Sequence, residues 1–490
     1  MGTLGNIYNN VSFALSLHTE AIARLQEQAA TGSRINRASD DPSSAYQVLE
    51  LNSQKKSLEN YIDNLSETIS TLEFSSTIIG GENGMTPTLA EVKTCLTQIT
   101  SGTYSAKQRS DAADRIDELL EQIVSLANTK QKNQYLFGGG NTASAPYIVE
   151  RTDEKITSVT YQGSLQDRNI EVATGVESSA FHIGENIFRS NDRSDPIFMG
   201  STGAENGTGT SSVTGYTWLQ VADAVDEVQT ITITGTPTGG TFTLTLNGET
   251  TGDIDWDASA ADVQAALVAL PGVEDGDVVC TDGPLPATVT VTFGGNLAQT
   301  NIAEMTFTDS ITGGSPAIAT TQDGGLQLSI DGGTSVAIPI GDKTNVAVTN
   351  SDGQVLYVDA TNINSTGYEL VSIPGTHDIF DTLITIRDIL EDERGLQLQT
   401  LRDNALESLD EINSLLVRTS VSIGSKIGFL NNLKSNLEDI KFDTEDETTR
   451  LEEADIAQIA IELSRHDVLY QMSLAVAARM MSMSLLDFIG

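Results

Sequence analysis

Residues 24–49 read RLQEQAATGSRINRASDDPSSAYQVL, a stretch in which one helix ends and another begins. Gly32 can end the first helix, because glycine readily adopts the left-handed conformation found at helix C-termini. Arg34 carries the charge to meet one of the two aspartates that follow it, Asp40 or Asp41. The proline after them suits the first position of a helix. The stretch therefore predicts two successive helices joined by a capped turn.

Both ends of the chain carry residues at the alternating steps of three and four that are typical of a coiled coil. The N-terminal series is Leu51, Lys55, Leu58, Ile62, Leu65, Ile69, Leu72, Ser76 and Ile79. The downstream series is Leu398, Leu401, Ala405, Leu409, Ile412, Leu416, Thr419, Ile423, Lys426, Leu430, Leu433, Leu437 and Ile440. We expect Gly80 and Gly81 to stop the first of these helices. The second should be one long helix through Gly424 and Gly428, although each glycine weakens a helix by about 1 kcal/mol relative to alanine.

The first and last helices show the same spacing. The first series is Leu4, Ile7, Val11, Ala14, His18, Ala21 and Leu25. The last is Ile456, Ala460, Leu463, Asp467, Tyr470, Leu474, Ala477, Met481 and then Phe488. Because these series include His18 and Asp467, each helix alone is weak. We expect both ends to be poorly ordered in the free monomer and to fold when they meet neighbours.

The middle of the chain differs from both ends. Residues 138–377 are rich in Gly, Thr, Ser and Val and hold six basic residues against about thirty acidic ones. We predict a multidomain α+β fold, in which both termini form a long antiparallel α-helical coiled-coil core around β-rich middle domains. The predicted parts are an N-terminal helical core (1–140), a β-rich outer domain in two parts (141–225 and 313–377), an inserted β-rich module with one helix (226–312), and a C-terminal helical core (378–490).

Within the inserted segment, Asn247-Gly248 between two alternating strands predicts a tight hairpin. Ser259 can cap a short helix that the following Pro-Gly pair ends. Three aspartates at 253, 255 and 257 match the first ligand positions of a calcium-binding loop. The rest of the loop does not match, because Ala258 occupies the position that needs glycine and Gln264 the position that needs glutamate. This pattern favours capping of the helix over metal binding.

Charge and composition exclude several classes of protein. The net charge of −41 argues against nucleic acid and anionic lipid as partners. No run of about 18 apolar residues predicts membrane insertion, and the N-terminus lacks the pattern of a cleaved signal peptide. Cys95 and Cys280 are the two cysteines of the chain. Their wide separation fits neither a disulfide framework nor a metal site, so we interpret them as inert thiols.

The chain offers no catalytic constellation. It lacks the HExxH, GxSxG, Walker and dinucleotide GxGxxG motifs. Its four histidines, at positions 18, 182, 377 and 466, lie in different zones without metal-ligand spacing. We therefore predict a protein that is not an enzyme and has no catalytic residue, no cofactor and no metal.

Four segments carry a family resemblance. Residues 24–49 resemble the N-terminal signature of the flagellin superfamily, in which a Gly-x-Arg-Ile-Asn turn is followed by two aspartates. Three segments resemble the hook-associated protein 3 branch of that superfamily: NQYLFGGGNTASAPY (133–147), GTHDIFDTLITIRDIL (375–390) and LYQMSLAVAARMMSMSLLDFIG (469–490). The resemblance covers roughly 1–225 and 313–490. The segment 226–312 lies outside it and looks like the small β modules of bacterial surface proteins.

The resemblance implies a structural role at the junction of hook and filament. The chain would be exported by the flagellar secretion apparatus without a cleaved signal peptide and would lie outside the cell. Its partners would be copies of itself, hook protein, the neighbouring junction protein and flagellin, with an export chaperone at the C-terminal helix. The residues expected to carry assembly are Leu4, Ile7, Val11, Leu25, Arg34, Ile35, Asn36, Asp40, Asp41, Leu463, Tyr470, Leu474, Met481, Leu485, Leu486 and Phe488.

Two alternatives stay open at this point. A filament flagellin belongs to the same superfamily, although flagellins usually end in a Gln-rich helix running to a Leu-Leu pair and not in LLDFIG. A surface adhesin or binding module belongs to another class, and the inserted segment 226–312 motivates that interpretation.

Overall fold

The computed structural model describes the backbone of residues 2–100, 105–391 and 398–489, and the side chains of residues 9–99, 105–391 and 404–479. The chain divides into two compact units. The terminal unit comprises residues 1–73, 169–180 and 424–490, and the central unit comprises residues 74–168 and 181–423.

Helices occupy both ends of the chain, as the sequence predicts. Those toward the N-terminus are α1 (Gly2–Thr31), α2 (Pro42–Gly80), α3 (Met85–Thr100) and α4 (Ala106–Ala127), and those toward the C-terminus are α7 (Ile379–Glu391), α8 (Leu398–Glu452) and α9 (Ile456–Ile489). Two short helices, α5 (Gly184–Phe188) and α6 (Ala260–Val268), lie in the middle. The start of α2 at Pro42 and its end at Gly80 confirm the predicted helix boundaries. The 55-residue α8 confirms the single long helix through Gly424 and Gly428.

The inward faces of α2 and α8 follow most of the predicted series. The buried members are Leu58, Leu65, Ile69, Leu72 and Ile79 on α2, and Ala405, Leu409, Ile412, Leu416, Ile423, Leu430 and Leu437 on α8. Leu398 and Leu401 lie outside the described side chains. The ion pairs Lys55–Glu445 (2.9 Å) and Glu59–Lys441 (3.2 Å) show that α2 and α8 run antiparallel in the terminal unit.

The end of the α8 series is a correction. Ile440, which the series assigned to the inward face, is 45% exposed. Thr444 and Thr448 are buried in its place, and their hydroxyls donate to the carbonyls of Ile440 and Thr444, both at 2.7 Å. Because these internal hydrogen bonds satisfy the hydroxyls, threonine can occupy buried positions where the pattern expected an apolar residue.

Antiparallel strands fill the middle of the chain. Three hairpins come first: β1 (Lys130–Gln131) with β2 (Gln134–Tyr135), β3 (Tyr147–Thr152) with β4 (Lys155–Tyr161), and, in the terminal unit, β5 (Asn169–Ala173) with β6 (Val176–Ser179). The predicted α+β class, with terminal helices and a β-rich middle, is confirmed.

The outer domain is built from two further sheets. Its strands are β7 (Ile197–Met199), β8 (Glu205–Asn206), β9 (Gly215–Val225), β18 (Gly325–Ile330), β19 (Val336–Ala337), β20 (Val346–Thr349), β21 (Val355–Asp359) and β22 (Gly367–Ile373). One sheet has the order β19-β18-β9-β22-β7 and the other β20-β21-β8. Alternate side chains of both sheets, among them Leu219, Leu328 and Val358, form one buried core.

The inserted segment folds around its own core. Its strands are β10 (Val228–Gly239), β11 (Thr241–Leu246), β12 (Glu249–Thr250), β13 (Ile254–Asp255), β14 (Val278–Asp282), β15 (Val289–Phe293), β16 (Thr306–Asp309) and β17 (Thr312–Gln322). One sheet has the order β14-β15-β10-β17, and the other pairs β11 with β12, β13 and β16. Phe242, Val263 and Phe293 are among the buried core residues.

Local signals in this segment are confirmed. Asn247 and Gly248, with φ of 50° and 88°, form the two-residue turn between β11 and β12. Ser259 caps α6 through a capping box with Asp262. The predicted end of the segment at residue 312 is too early. Strand β17 begins there and pairs with β10, so it belongs to the segment's own sheet. We therefore define the inserted module as residues 226–322.

The module joins the outer domain through a buried glutamate. The Glu227 side chain accepts hydrogen bonds from the Gly324 amide (2.7 Å) and from Gln229 Nε2 (3.1 Å). Its main-chain carbonyl accepts a hydrogen bond from the Phe293 amide (2.9 Å). These bonds tie the entering and leaving segments of the module together.

Candidate assembly surface

The turn between α1 and α2 is hydrogen-bonded to the turn between α8 and α9. The Arg34 amide donates to the Glu452 carbonyl (2.6 Å), and the Ala454 amide donates to the Gly32 carbonyl (3.0 Å). Gly32 has a φ of +70°, which confirms its predicted role at the end of α1. We call this structure, formed by residues 32–41 and 451–454, the connection clamp.

The Arg34 side chain holds the connection clamp together. Its guanidinium lies 3.0 Å from Asp41 Oδ2, 3.2 Å from Ser44 Oγ and 3.1 Å from the Leu451 carbonyl. Asp41 caps α2 by accepting hydrogen bonds from the Ser44 amide and hydroxyl. The Ser44 bonds, with Arg34 beside them, lower the pKa of Asp41 to about 2. Of the two aspartates expected to meet Arg34, Asp41 forms the ion pair.

The other residues of the string stabilise the turn itself. Asp40 Oδ2 accepts hydrogen bonds from the amides of Asn36 (3.2 Å) and Arg37 (2.8 Å). Asn36 Nδ2 donates to the Ser33 carbonyl (3.2 Å), and the Ile35 carbonyl accepts from Ser33 Oγ (3.0 Å). Within one chain, Arg34, Ile35, Asn36, Asp40 and Asp41 therefore shape an internal connection. Their part in contacts between subunits stays a prediction.

Beside the connection clamp, α1 and α9 pack together around a small apolar cluster. Leu25, Ala454 and Ile459 are buried there, with Leu463 packed against them. Val11 on α1 and Tyr470 on α9 are half-buried farther along the helices.

Two histidines that the sequence placed in different zones meet between the same helices. Nδ1 of His18 and Nδ1 of His466 lie 3.1 Å apart. No sequence signal indicated this pair, because spacing along the chain says nothing about which faces of two distant helices meet.

The inward face of α9 differs from the predicted one. Among the described residues of α9, the half-buried or buried ones are Ile459, Glu462, Leu463, His466, Leu469, Tyr470, Ser473 and Ala477. Ile456, Ala460, Asp467 and Leu474, which the predicted series placed on this face, are exposed. Leu474 is thus available on one chain for contact with another, which leaves its predicted assembly role open.

The opposite side of α9 carries an exposed apolar face. Ile461, Val468 and Met472 are 65%, 53% and 61% exposed, and their spacing of seven and four places them on one side of the helix. We call these three residues the outer face of α9. On α1, Phe13 and Leu17 are also exposed, one helical turn apart. Hence α9 presents apolar side chains on two opposite faces, and among the described residues one of these faces packs against α1 while the other is exposed.

The remaining predicted assembly residues cannot be placed. The side chains of Leu4, Ile7, Met481, Leu485, Leu486 and Phe488 lie outside the described residues.

The described part of the chain shows no group of three or more His, Cys, Asp or Glu residues that could hold a metal ion. Cys95 and Cys280 are free, and burial raises the pKa of both thiols, that of Cys280 to about 12. Raised pKa values keep these thiols in the unreactive protonated form at neutral pH. Along the described residues, none of the helices has the length and apolarity needed to cross a membrane.

Residues 6–142, which include most of α1 and all of α2, α3 and α4, match the family described as the bacterial flagellin N-terminal helical region. The chain carries a flagellin N-terminal region. The predicted resemblance to the flagellin superfamily is thereby confirmed for this part of the chain. The connection between α1 and α2 in the clamp lies inside this flagellin region.

Several relatives of the chain are flagellar proteins. Another, the tail sheath protein of Mycobacterium phage Bxz1, is 49% identical over 65 residues, which cover 13% of this chain and 11% of that protein. The chain is 28% identical over 167 residues to the flagellar hook-associated protein 3 of Escherichia coli strain K12, a match covering 34% of this chain and 49% of that protein. It is 27% identical over 190 residues to the flagellar filament 41 kDa core protein of Borreliella burgdorferi, covering 37% of this chain and 54% of that protein. The chain spans about half the length of these two flagellar relatives.

A solved structure of a flagellar hook associated protein-3 from Legionella pneumophila is similar with a TM-score of 0.44 and 14% identity, covering 82% of this chain and 98% of that one.

Proposed function

We propose that this chain is a structural, non-enzymatic subunit of a bacterial flagellum that joins hook to filament. It would assemble through its terminal helices with copies of itself, with hook protein, with the neighbouring junction protein and with flagellin. The observation that carries the proposal is the outer face of α9, an uncovered apolar face on a helix that packs against a flagellin N-terminal region.

The energetics favour association through this face. A helix that is apolar on opposite sides is normally buried on both. Full burial of one large aliphatic side chain contributes roughly 1.5–3 kcal/mol. Ile461, Val468 and Met472 together can therefore drive contact with a second subunit. Because the face and its partner surface need not be the same patch, such contacts build rings or helical layers.

A long antiparallel coiled coil is the proposed frame for this face. The opposed ion pairs of α2 and α8 and the buried residues at steps of three and four support this packing. The connection clamp would then hold α1 and α9 in a fixed relation to the end of that coil. The net charge of −41 would keep free monomers apart before assembly.

Export precedes assembly in this proposal. The chain would leave the cell through the flagellar secretion apparatus. A chaperone on the C-terminal helix would cover the outer face of α9 until the chain is exported.

A filament flagellin is the second candidate. The observation in its favour is the similarity to a filament core protein. That match has nearly the same identity and coverage as the match to a hook-associated protein. The two candidates differ in location and in abundance, since a filament contains far more subunits than a junction layer.

The test replaces the outer face of α9 without touching its inward face. The triple variant Ile461→Ser, Val468→Ser, Met472→Ser should stay folded, with a free energy of unfolding within about 1.5 kcal/mol of wild type, because exposed positions contribute little. It should fail to enter flagella isolated from the bacterium that makes it, as measured by immunoblot.

The matched control makes the same kind of change in the central unit, at the exposed residues Val279, Phe307 and Ile340. The triple serine control should enter flagella at the wild-type level. Wild-type incorporation of the α9 variant would contradict the proposal.

A further inference from the structure

Helix α1 has an exposed face of mixed character. Phe13 and Leu17 are exposed apolar residues four positions apart, and Glu20, three positions further along, is exposed as well. Residues at steps of three and four lie on one side of a helix, so these three side chains form a single stripe. We call it the outer face of α1. The residues of α1 that meet α9, among them His18 and Leu25, lie on another side of the helix.

The outer face of α9 has the same spacing in the reverse order. Met472 and Val468 are exposed and four positions apart. The exposed Arg465 lies three positions before Val468, on the same side of the helix. Each helix thus presents two apolar side chains followed, at steps of four and then three, by a charged one. The charge is negative on α1, from Glu20, and positive on α9.

Antiparallel packing of these two faces gives every side chain a suitable partner. Apolar residues then cover apolar residues, and the carboxylate meets the guanidinium. The facing positions are Phe13 with Met472, Leu17 with Val468, and Glu20 with Arg465. A shift by one helical turn destroys the match, because it brings Leu17 to Arg465 in one direction and Glu20 to Val468 in the other. The two stripes therefore select one register.

Parallel packing of the same faces fits less well. It can match the two apolar pairs, but Glu20 then falls opposite Ala475, and Arg24 falls opposite Arg479. Like charges that face each other across an interface oppose association. Charge complementarity thus selects the antiparallel direction as well as the register.

The contact must join two copies of the chain. Within one chain, α1 and α9 already pack against each other on their inward sides, around Leu25 and Ile459 and through the contact of His18 with His466. Their outer faces lie elsewhere on the same two helices, so one chain cannot bring these faces together while that packing lasts. Every copy, however, carries both faces.

We propose that the outer face of α9 on one copy docks antiparallel onto the outer face of α1 on a second copy. In the same register Arg24 lies opposite Ile461, and the apolar stem of the arginine can cover that side chain. The two surfaces are different, so successive copies add head to tail and form a ring or a helical layer. That this layer belongs to a flagellum rests on the proposed function, whereas the contact between copies does not.

Disulfide trapping tests the register in the purified full-length chain. Both native cysteines are first removed by Cys95→Ser and Cys280→Ser. One chain then carries Leu17→Cys, the other carries Val468→Cys, and a tag on one of them separates the three possible dimers by mass. Oxidation should give the mixed dimer at roughly tenfold its statistical share, because a disulfide needs Cβ atoms about 3.5–4.5 Å apart. A mixed dimer at its statistical share would overturn the proposal.

The matched control for trapping replaces Val468→Cys by Val279→Cys, since Val279 is an exposed valine on the inserted module. Its mixed dimer with Leu17→Cys should form only at the statistical share. An equal excess of mixed dimer with Val279→Cys would show unspecific collision and overturn the assigned contact.

A charge reversal tests the ion pair. Glu20→Arg and Arg465→Glu each place like charges at the contact, and each should weaken self-association in analytical ultracentrifugation by roughly fivefold or more. The double variant restores opposite charges and should associate as wild type does. Glu50→Arg and Lys56→Glu, at exposed positions of α2, change the net charge equally and should leave association unchanged. A double variant as weak as the single variants would overturn the proposal.

These measurements on purified chains are separate from the location of the protein in the cell. Mixed dimers from a protein that is absent from flagella would contradict the proposed function and leave the contact standing. A protein that enters flagella but gives no excess of mixed dimer would overturn the contact and leave the proposed function standing.

Discussion

The terminal unit and the inserted module differ in how completely they bury their large apolar side chains. The terminal unit exposes Phe13, Leu17 and the outer face of α9. The module (226–322) buries a continuous core and leaves Val279 and Phe307 as its exposed large apolar residues. Within the described residues, the module therefore buries its apolar side chains in its own core, whereas the terminal helices leave one apolar face exposed.

The cause lies in the patterning of each region. Strands β10, β11 and β15 alternate buried residues, nearly all apolar, with Thr, so that one side of each strand is polar. The helix α9 has apolar residues on both sides, so pairing with α1 can cover only part of them.

Breaking the module should give the largest effect. Phe293→Ala opens a cavity in its core and should lower the free energy of unfolding by about 3–5 kcal/mol. Trp256 packs against that core and reports on it, when Trp218→Phe removes the other tryptophan. At the denaturant concentration where the fluorescence of Trp256 reports unfolding of the module, the helical circular dichroism signal should change little.

Val279→Ala is the control for the module, because this side chain is exposed. Its effect should stay within about 0.5 kcal/mol. Joint loss of helical signal and Trp256 signal in Phe293→Ala would contradict the independence of the module.

Two leucines on α1 test the terminal unit at a smaller scale. Leu25 is buried against Ala454 and Ile459, and Leu25→Ala should lower the free energy of unfolding by about 2–4 kcal/mol. Leu17 is 52% exposed, and Leu17→Ala should change the free energy of unfolding by less than about 0.5 kcal/mol. Denaturation followed by helical circular dichroism measures both. Equal losses would contradict the packing described for α1 and α9.

A substitution in the connection clamp should have the smallest effect on stability, and that effect should depend on pH. Its Asp41 has a pKa lowered to about 2 in the folded chain, so the charged carboxylate stabilises the fold at neutral pH. Asp41→Asn keeps the cap but loses this charge, and should lower the melting temperature by a few degrees. The difference from wild type should vanish as pH falls through about 2, where the wild-type carboxyl is protonated.

Glu50→Gln, an exposed charge on α2, is the matched control and should not change the melting temperature. A difference between wild type and Asp41→Asn that persists in acid would show that the side chain acts through packing and not through its charge.

Local signals predicted much of the fold. Gly32, Asp41 and Ser259 act at helix ends as expected, because a cap depends on residues within one turn. The inward face of α9 was predicted wrongly in part. Since that helix is apolar on two sides, two heptad registers fit it, and only packing against α1 selects one.

A cavity lined by Tyr147, Arg189 and Asp378 had no sequence signal. Its polar groups come from β3, from α5 and from the start of α7, and the outer domain and the inserted module separate α5 from α7 along the chain. A buried tyrosine or aspartate looks like any other until the fold shows whether its polar atom has a partner. The connection clamp, in contrast, could be predicted in part, because most of its residues lie in one short stretch of sequence.

The most direct test of the central claim is immunogold electron microscopy of intact flagella with antibody raised against residues 226–322. The account predicts label confined to the boundary between hook and filament. Label along the whole filament would contradict the junction role and make the chain a filament flagellin, and flagella without label would contradict a flagellar role altogether.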